Sequence, residues 1–304
     1  MNWGNRPKYD IVRLSNLKES SMKKIYLIVI LCLIAAQAYA GDVTVSVTEV
    51  RDSRTTGQFF AGLDLKLKVM GDAIADAKGL KLSVTKATDD TGRDLLKKED
   101  DSRKEFTKPD ENRTGQAEIE VKLKNPSRKA AVVKELEGEV SIYSPGRDPD
   151  SVASLPSFMT RAGKKIKNRA IQNARVDLTI MTKKEFDEFK ERQKKEVKAK
   201  EGEMVKEFGE AMAKALGSLF GGLMEIGENS VILNITDPDS KVIELEFSDA
   251  SGASMRSGSS MRTGDIRVFE FDKPMPQDAK LTIFLITPKS MTKASFKISD
   301  IALP

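Results

Sequence analysis

Leu63-Asp64-Leu65-Lys66-Leu67-Lys68-Val69 alternates an apolar with a charged side chain along its whole length. Successive residues of a strand point to opposite faces, so this stretch reads as a half-buried antiparallel strand with one face on a core and one in water. The same period of two precedes it at Val43, Val45 and Val47. It returns at Leu80, Leu82 and Val84, and again at Ile119, Val121 and Leu123. Polar, turn-rich stretches separate these runs, among them Thr88-Asp89-Asp90-Thr91-Gly92 and the charged segment from Lys97 to Asn112.

Beyond Pro126, the spacing of Ala130, Val133 and Leu136 predicts one or two helical turns crossing between strands. Gly138 then permits a further strand from Val140 to Tyr143. Arg147 to Lys167 reads as a long loop, and Ala174, Val176, Leu178 and Ile180 close the series. Short alternating strands with a single crossover predict an immunoglobulin-like sandwich of about seven strands over residues 41–181.

The period changes at Thr182. From Lys183 to Ile226 there is no proline, and Lys, Glu, Ala, Met, Phe and Leu dominate, which predicts a helical segment over 182–228. Thr182 with Glu185 three residues on has the form of a capping box. The first half is polar, a solvated helix. In the second, Met204, Phe208, Met212, Leu216, Phe220 and Leu223 form one apolar stripe that must be covered, by the protein's own sheets, by a partner or by a membrane surface. After Gly227 period two returns at Val231, Leu233 and Ile235, then at Leu245 and Phe247, at Ile266, Val268 and Phe271, at Leu281, Ile283 and Leu285, and at Phe296 and Ile298. The predicted fold class is therefore mainly β with a long helical segment: two Ig-like β-sandwich regions, 41–181 and a smaller one at 229–304, flanking an α-helical insertion.

Ahead of these regions, Met22 to Ala40 has the parts of a secretory signal peptide: Lys23 and Lys24, an apolar run from Ile25, and Ala38-Tyr39-Ala40 as the cleavage site before Gly41. Residues 1–21 form an extension ahead of it, and the expected translation start is Met22. Residues 1–40 carry six of the 51 basic and two of the 46 acidic residues, leaving a near-neutral 45 against 44. Nucleic-acid binding calls for clustered excess positive charge, which this remainder lacks. The single cysteine, Cys32, lies within the signal, and there is no histidine. Ser-His-Asp, Cys-His and His-ligated zinc chemistries are thereby excluded from the mature chain, and no cofactor is expected.

Three constellations remain. Paired carboxylates at Asp89, Asp90, Asp100 and Asp101 would suit a carboxylate hydrolase if two faced each other across a cleft, but all lie in lysine-flanked polar loops. Asp148, Asp150, Asp237 and Asp239, from two Asp-Pro-Asp-Ser tetrads, offer oxygens for calcium, although the tetrad also suits a turn. The near-repeat from Ser254 to Gly264 reads as a flexible Gly/Ser-rich loop. Its Met255 and Met261 would make a poor copper(I) site, and its Arg256 and Arg262 are matched to an anionic partner.

Pro126-Ser127-Arg128-Lys129-Ala130, Leu136-Glu137-Gly138-Glu139-Val140 and Phe296-Lys297-Ile298-Ser299-Asp300-Ile301-Ala302-Leu303-Pro304 resemble segments of uncharacterised exported bacterial proteins with Ig-like β domains. The resemblance implies an exported sandwich and carries over no functional residue. The reading is a periplasmic or secreted, non-catalytic β-sandwich protein that binds a protein or other envelope partner. The alternatives are a membrane-surface or self-assembling protein using residues 204–226, and a carboxylate-dependent hydrolase.

Overall fold

A computed structural model describes residues 43–54, 61–97, 106–110, 114–193, 195 and 226–304. The described strands, in chain order, are β1 (Thr44–Ser53), β2 (Gly62–Met70), β3 (Gly79–Asp89), β4 (Gln116–Leu123), β5 (Val132–Tyr143), β6 (Val152–Leu155), β7 (Asp177–Met181), β8 (Ser230–Thr236), β9 (Val242–Ser248), β10 (Ser254–Met255), β11 (Ser259–Thr263), β12 (Ile266–Glu270), β13 (Lys280–Leu285) and β14 (Met291–Ala302). They build four antiparallel sheets, ordered β1-β2-β4, β14-β5-β3, β10-β9-β13-β6 and β11-β12-β8-β7. The molecule is thus mostly β. Its described helices are short, at Asp72–Ala75, at Arg169–Asn173 and over 183–193, and the long helical segment expected between two sandwiches is corrected to these. The apolar stripe from Met204 to Leu223 lies outside the described residues.

The division of the chain differs from the expected boundaries as well. One unit comprises residues up to Ile142, apart from 103–106, together with Thr292–Pro304. The other is essentially Tyr143–Met291. So β6 and β7, expected in the first β region, belong with β8 to β13, while β14, expected in the second, belongs with β1 to β5.

In the first unit the alternation in β2 does what the sequence promised: Leu63, Leu65, Leu67 and Val69 are fully buried. They share one core with Leu80 and Leu82 of β3, Ile119 and Val121 of β4 and Leu136 and Val140 of β5, so both three-stranded sheets turn their apolar faces to the same cluster. The outward rows across β1-β2-β4 alternate in sign. Glu49, Lys66 and Glu120 lie in register, and beside them Arg51, Asp64 and Lys122. On the other sheet Glu135 and Glu137 meet Lys297, Lys86 also meets Glu135, and Glu139 meets Lys293. Lys297 first, then Lys86, hold the Glu135 carboxyl down at about 2. These exposed pairs make the faces charge-neutral rather than strongly stable.

The helical turns expected before Gly138 are instead the start of β5. Val133 and Leu136 both point to the core, with Lys134 and Glu135 between them on the solvent side. Two consecutive outward residues put the apolar residues on either side of them three apart, just as a helix does. Gly138 does not interrupt the strand, which runs through it for 12 residues.

Both units contain the same turn. After β3, the Oδ1 of Asp89 accepts from the amide and hydroxyl of Thr91 and from the amide of Arg93; after β9, the Oδ1 of Asp249 accepts from the amide and hydroxyl of Ser251 and the amide of Ala253. Gly92 and Gly252 close the turns at φ 84° and 91°, a conformation that glycine adopts without steric cost. Asp-x-(Thr/Ser)-Gly is thus a local hydrogen-bonding unit that recurs because it solves the same reversal twice.

In the second unit Ala153 and Leu155, Leu178 and Ile180, Leu233 and Ile235, and Leu281 and Ile283 gather into one core around Phe247, whose ring meets those of Phe158, Phe269 and Phe271 at 5.8, 5.0 and 5.2 Å. Val152–Leu155, expected as loop, is a strand paired with β13. The outer face of the β11-β12-β8-β7 sheet is apolar too: Phe186 and Phe189 of the helix over 183–193 cover Ile232, Ile266 and Val268. The capping box at the head of that helix is present, with Thr182 N donating to Glu185 Oε2 (2.8 Å) and Glu185 N to Thr182 Oγ1 (3.2 Å). Thr182→Ala is expected to lower stability by about 1 kcal/mol in thermal melting, and Thr182→Ser by much less.

Candidate functional site

Each half of the Ser-Met-Arg near-repeat goes to a different sheet. Ser254 and Met255 form β10 beside β9, and Ser259–Thr263 form β11 beside β12. The segment expected as a flexible loop is therefore ordered into two edge strands linked by Arg256 to Gly258. Met255 packs toward the core around Phe247, and Met261 packs on the opposite face of its sheet with Phe186 and Ile232. The two thioethers serve different apolar clusters and do not converge on an ion.

β11 and β12 are joined by a two-residue turn, Gly264-Asp265, with Gly264 at φ 56° and Thr263 paired to Ile266. The register then sets Arg262 directly across from Arg267. The row continues into Leu233 of β8 and Ile180 of β7, which are fully buried. Two observed hydrogen bonds, Ile235 N to Asp265 O and Gly258 N to Glu270 O, fix which way each β12 backbone group points. Residues 265, 267 and 269 bond toward β8, and 266, 268 and 270 toward β11. Arg262 and Arg267 are therefore a non-hydrogen-bonded pair, the kind in which facing Cα atoms approach to about 4.5 Å and the side chains are closest.

Two guanidinium groups thus share one face of adjacent strands, Arg262 exposed and Arg267 half-buried beside Leu233. No hydrogen bond or ion pair to either is present among the described residues. Burial first, and then the charge of Arg262, pull the Arg267 guanidinium below its ordinary pKa; the Asp237 carboxylate opposes this. That carboxylate is already engaged, accepting from the amides of Lys241 and Val242 at 2.8 Å each. Asp265 accepts from the Thr236 hydroxyl and Glu270 from Gly227 N and Ser259 Oγ. Like charges directly opposite on adjacent strands are destabilising, on the order of 0.2–1 kcal/mol. The contrast with the sign-alternating rows of the first unit makes this pair the chemically distinctive feature of the described surface.

Of the residues singled out from the sequence, Arg262 is therefore in the site, Arg256 lies exposed in the link just before β11, and Arg267 was missed. The four candidate calcium ligands do not meet in one set. Asp148 accepts from the amide of Asp150 and Asp150 pairs with Arg169 and Asn173, while Asp237 caps its own turn and Asp239 lies 3.6 Å from Arg175. Among the described residues no three carboxylates converge where a metal would be held. Asp89 is committed to its turn and Asp90 to the amide of Ala131, and Asp100 and Asp101 lie outside the described residues. Met204, Phe208, Met212, Leu216, Phe220 and Leu223 lie outside them as well. No helix among the described residues is long and apolar enough to cross a membrane. Comparison of the chain with family models, with curated proteins and with solved structures found no match.

Proposed function

We propose that this is an exported β-sandwich protein that acts by binding rather than by catalysis, with the Arg262–Arg267 pair as its recognition site for an anionic group. The observation that carries the reading is the pair itself: two adjacent guanidinium groups with no carboxylate ion-paired to either among the described residues, whose fork geometry matches carboxylate and phosphate oxygens. The signal-like segment at Met22 to Ala40 supports export, and the absence of histidine and of any cysteine after Cys32 supports binding over proton-transfer or nucleophilic chemistry.

The topology adds support. The order β1-β2-β4 against β14-β5-β3 corresponds to strands A-B-E and G-F-C of an immunoglobulin-type sandwich without its D strand. The β5 to β14 connection then occupies the F–G position, where immunoglobulin-type domains place recognition loops. Here that connection is the whole second unit, which carries the arginine pair.

Inorganic phosphate titrated into the mature protein is expected to raise its melting temperature, reaching about 1.4 kcal/mol of added stability at ten times the dissociation constant. Arg262→Ser and Arg267→Ser are each expected to abolish most of that gain. An equal gain in wild type and both variants would mark a general salt effect and end the proposal.

A further inference from the structure

Resting on the anion reading above, we propose that β11 is a docking edge that takes up an extended acidic peptide segment as an added strand, whose carboxylate meets Arg262 and Arg267. Two observations of different kind converge on it. First, β11 is the outermost of the described strands of its sheet. Because Met261 and Thr263 direct their backbone groups to Val268 and Ile266, the N–H and C=O groups of Ser260 and Arg262 point away from β12. No backbone hydrogen bond satisfies these groups among the described residues. An extended segment laid along the edge would bond to both residues, and main-chain bonding of this kind supplies affinity while alternate side chains supply selectivity.

Second, the row that such a segment would extend is Arg267–Arg262. Alternate side chains of the segment would fall on the same face as this pair, so a glutamate or aspartate opposite Arg262 supplies the negative charge that the two like charges lack. Arg256, exposed in the link before β11, adds positive charge on the same stretch of chain. The same arginines disfavour a second copy as occupant, since pairing β11 with itself would bring two more guanidinium groups to one row. β11 also lacks proline and lysine, the residues that most simply blunt an edge.

The test uses the mature protein and a short synthetic peptide alternating valine and glutamate, with binding read by calorimetry and the phosphate titration run in parallel. Wild type is expected to bind the peptide. The glutamine-for-glutamate peptide and Arg262→Ser are each expected to weaken binding at least tenfold. Ser260→Pro removes an N–H that faces the open edge and leaves the bonds to β12 intact, so it is expected to abolish peptide binding while the phosphate response persists. A peptide N-methylated at alternate residues is expected to fail against unaltered wild type, which makes the same point without a variant. If phosphate is bound but the peptide is not, or if the N-methylated peptide binds equally well, strand addition is wrong and the anion reading stands. If neither is bound, both fall. If the peptide is not bound and Arg262→Ser self-associates in light scattering, the arginines guard the edge instead, and the inference is overturned.

Discussion

Gly138→Ala is expected to unfold the first unit or to cost it at least about 3 kcal/mol, a severe case of overpacking. A methyl group built at Gly138 would stand 2.3 Å from the carbonyl oxygen of Ser83 and 2.8 Å from two ring atoms of Phe296. The ring can turn, but the carbonyl belongs to the backbone of β3, the neighbour of β5 in its sheet. Relief requires the strands to separate, and the core beneath them includes Leu80, Leu82, Leu136 and Val140, all buried. Urea denaturation monitored by circular dichroism measures the loss. Trimming the ring with Phe296→Leu in the same chain is not expected to recover it, because the closer obstacle remains.

The second large effect is expected at Asp89, which is 2 % exposed. Its Oδ1 accepts three hydrogen bonds from Thr91 and Arg93, and its Oδ2 accepts one from the amide of Ser127, 2.8 Å away and 38 residues on. Burial pushes the carboxyl up; the donors from Ser127, Thr91 and Arg93 overcome it, so its pKa lies below the ordinary value. Asp89→Asn turns an NH2 group toward these donors and is expected to cost about 2 kcal/mol at neutral pH, the penalty for leaving buried donors without an acceptor. The sign with pH follows from the depressed folded-state pKa. The stabilisation is complete above the unfolded value of about 3.9 and is lost as pH falls through the folded one. Melting curves of wild type and Asp89→Asn should accordingly converge on acidification. A gap that stays constant down to the lowest pH at which both fold would show that the carboxylate's charge is not what holds the turn.

The strands with a clean period of two were legible because one face of each meets a core: β2, β4 and β13 lie where Leu63, Ile119 and Leu281 announced them. Ile266 and Val268 show the limit of that logic. They read as the core-facing residues of β12, yet they face outward beneath Phe186, while Arg267 and Phe269 occupy the inner face. A sheet covered on both sides leaves the alternation ambiguous, and Arg267 was overlooked for that reason. Val133 and Leu136 misled differently, since two consecutive outward residues in a strand give the same apolar spacing as a helical turn. Pairing across long stretches of chain was not legible at all. Nothing local in Val152–Leu155 or Met291–Ala302 states that the first joins β13 or that the second returns to β5. Asp89 was visible as a turn residue, but its bond to Ser127 depends on the fold.

The return of β14 to β5 also sets an order of events as the chain is made. The segment carrying β6 to β13 is essentially continuous and holds all its strands once it has been synthesised. The segment carrying β1 to β5 must wait, with the flank of β5 exposed, until everything between has emerged and β14 arrives to close it. What is translated first is finished last, and during that interval the β5 edge presents Glu135, Glu137 and Glu139, whose partners Lys297 and Lys293 come only with β14, so mutual repulsion of like charge rather than a neighbouring strand discourages wrong pairings.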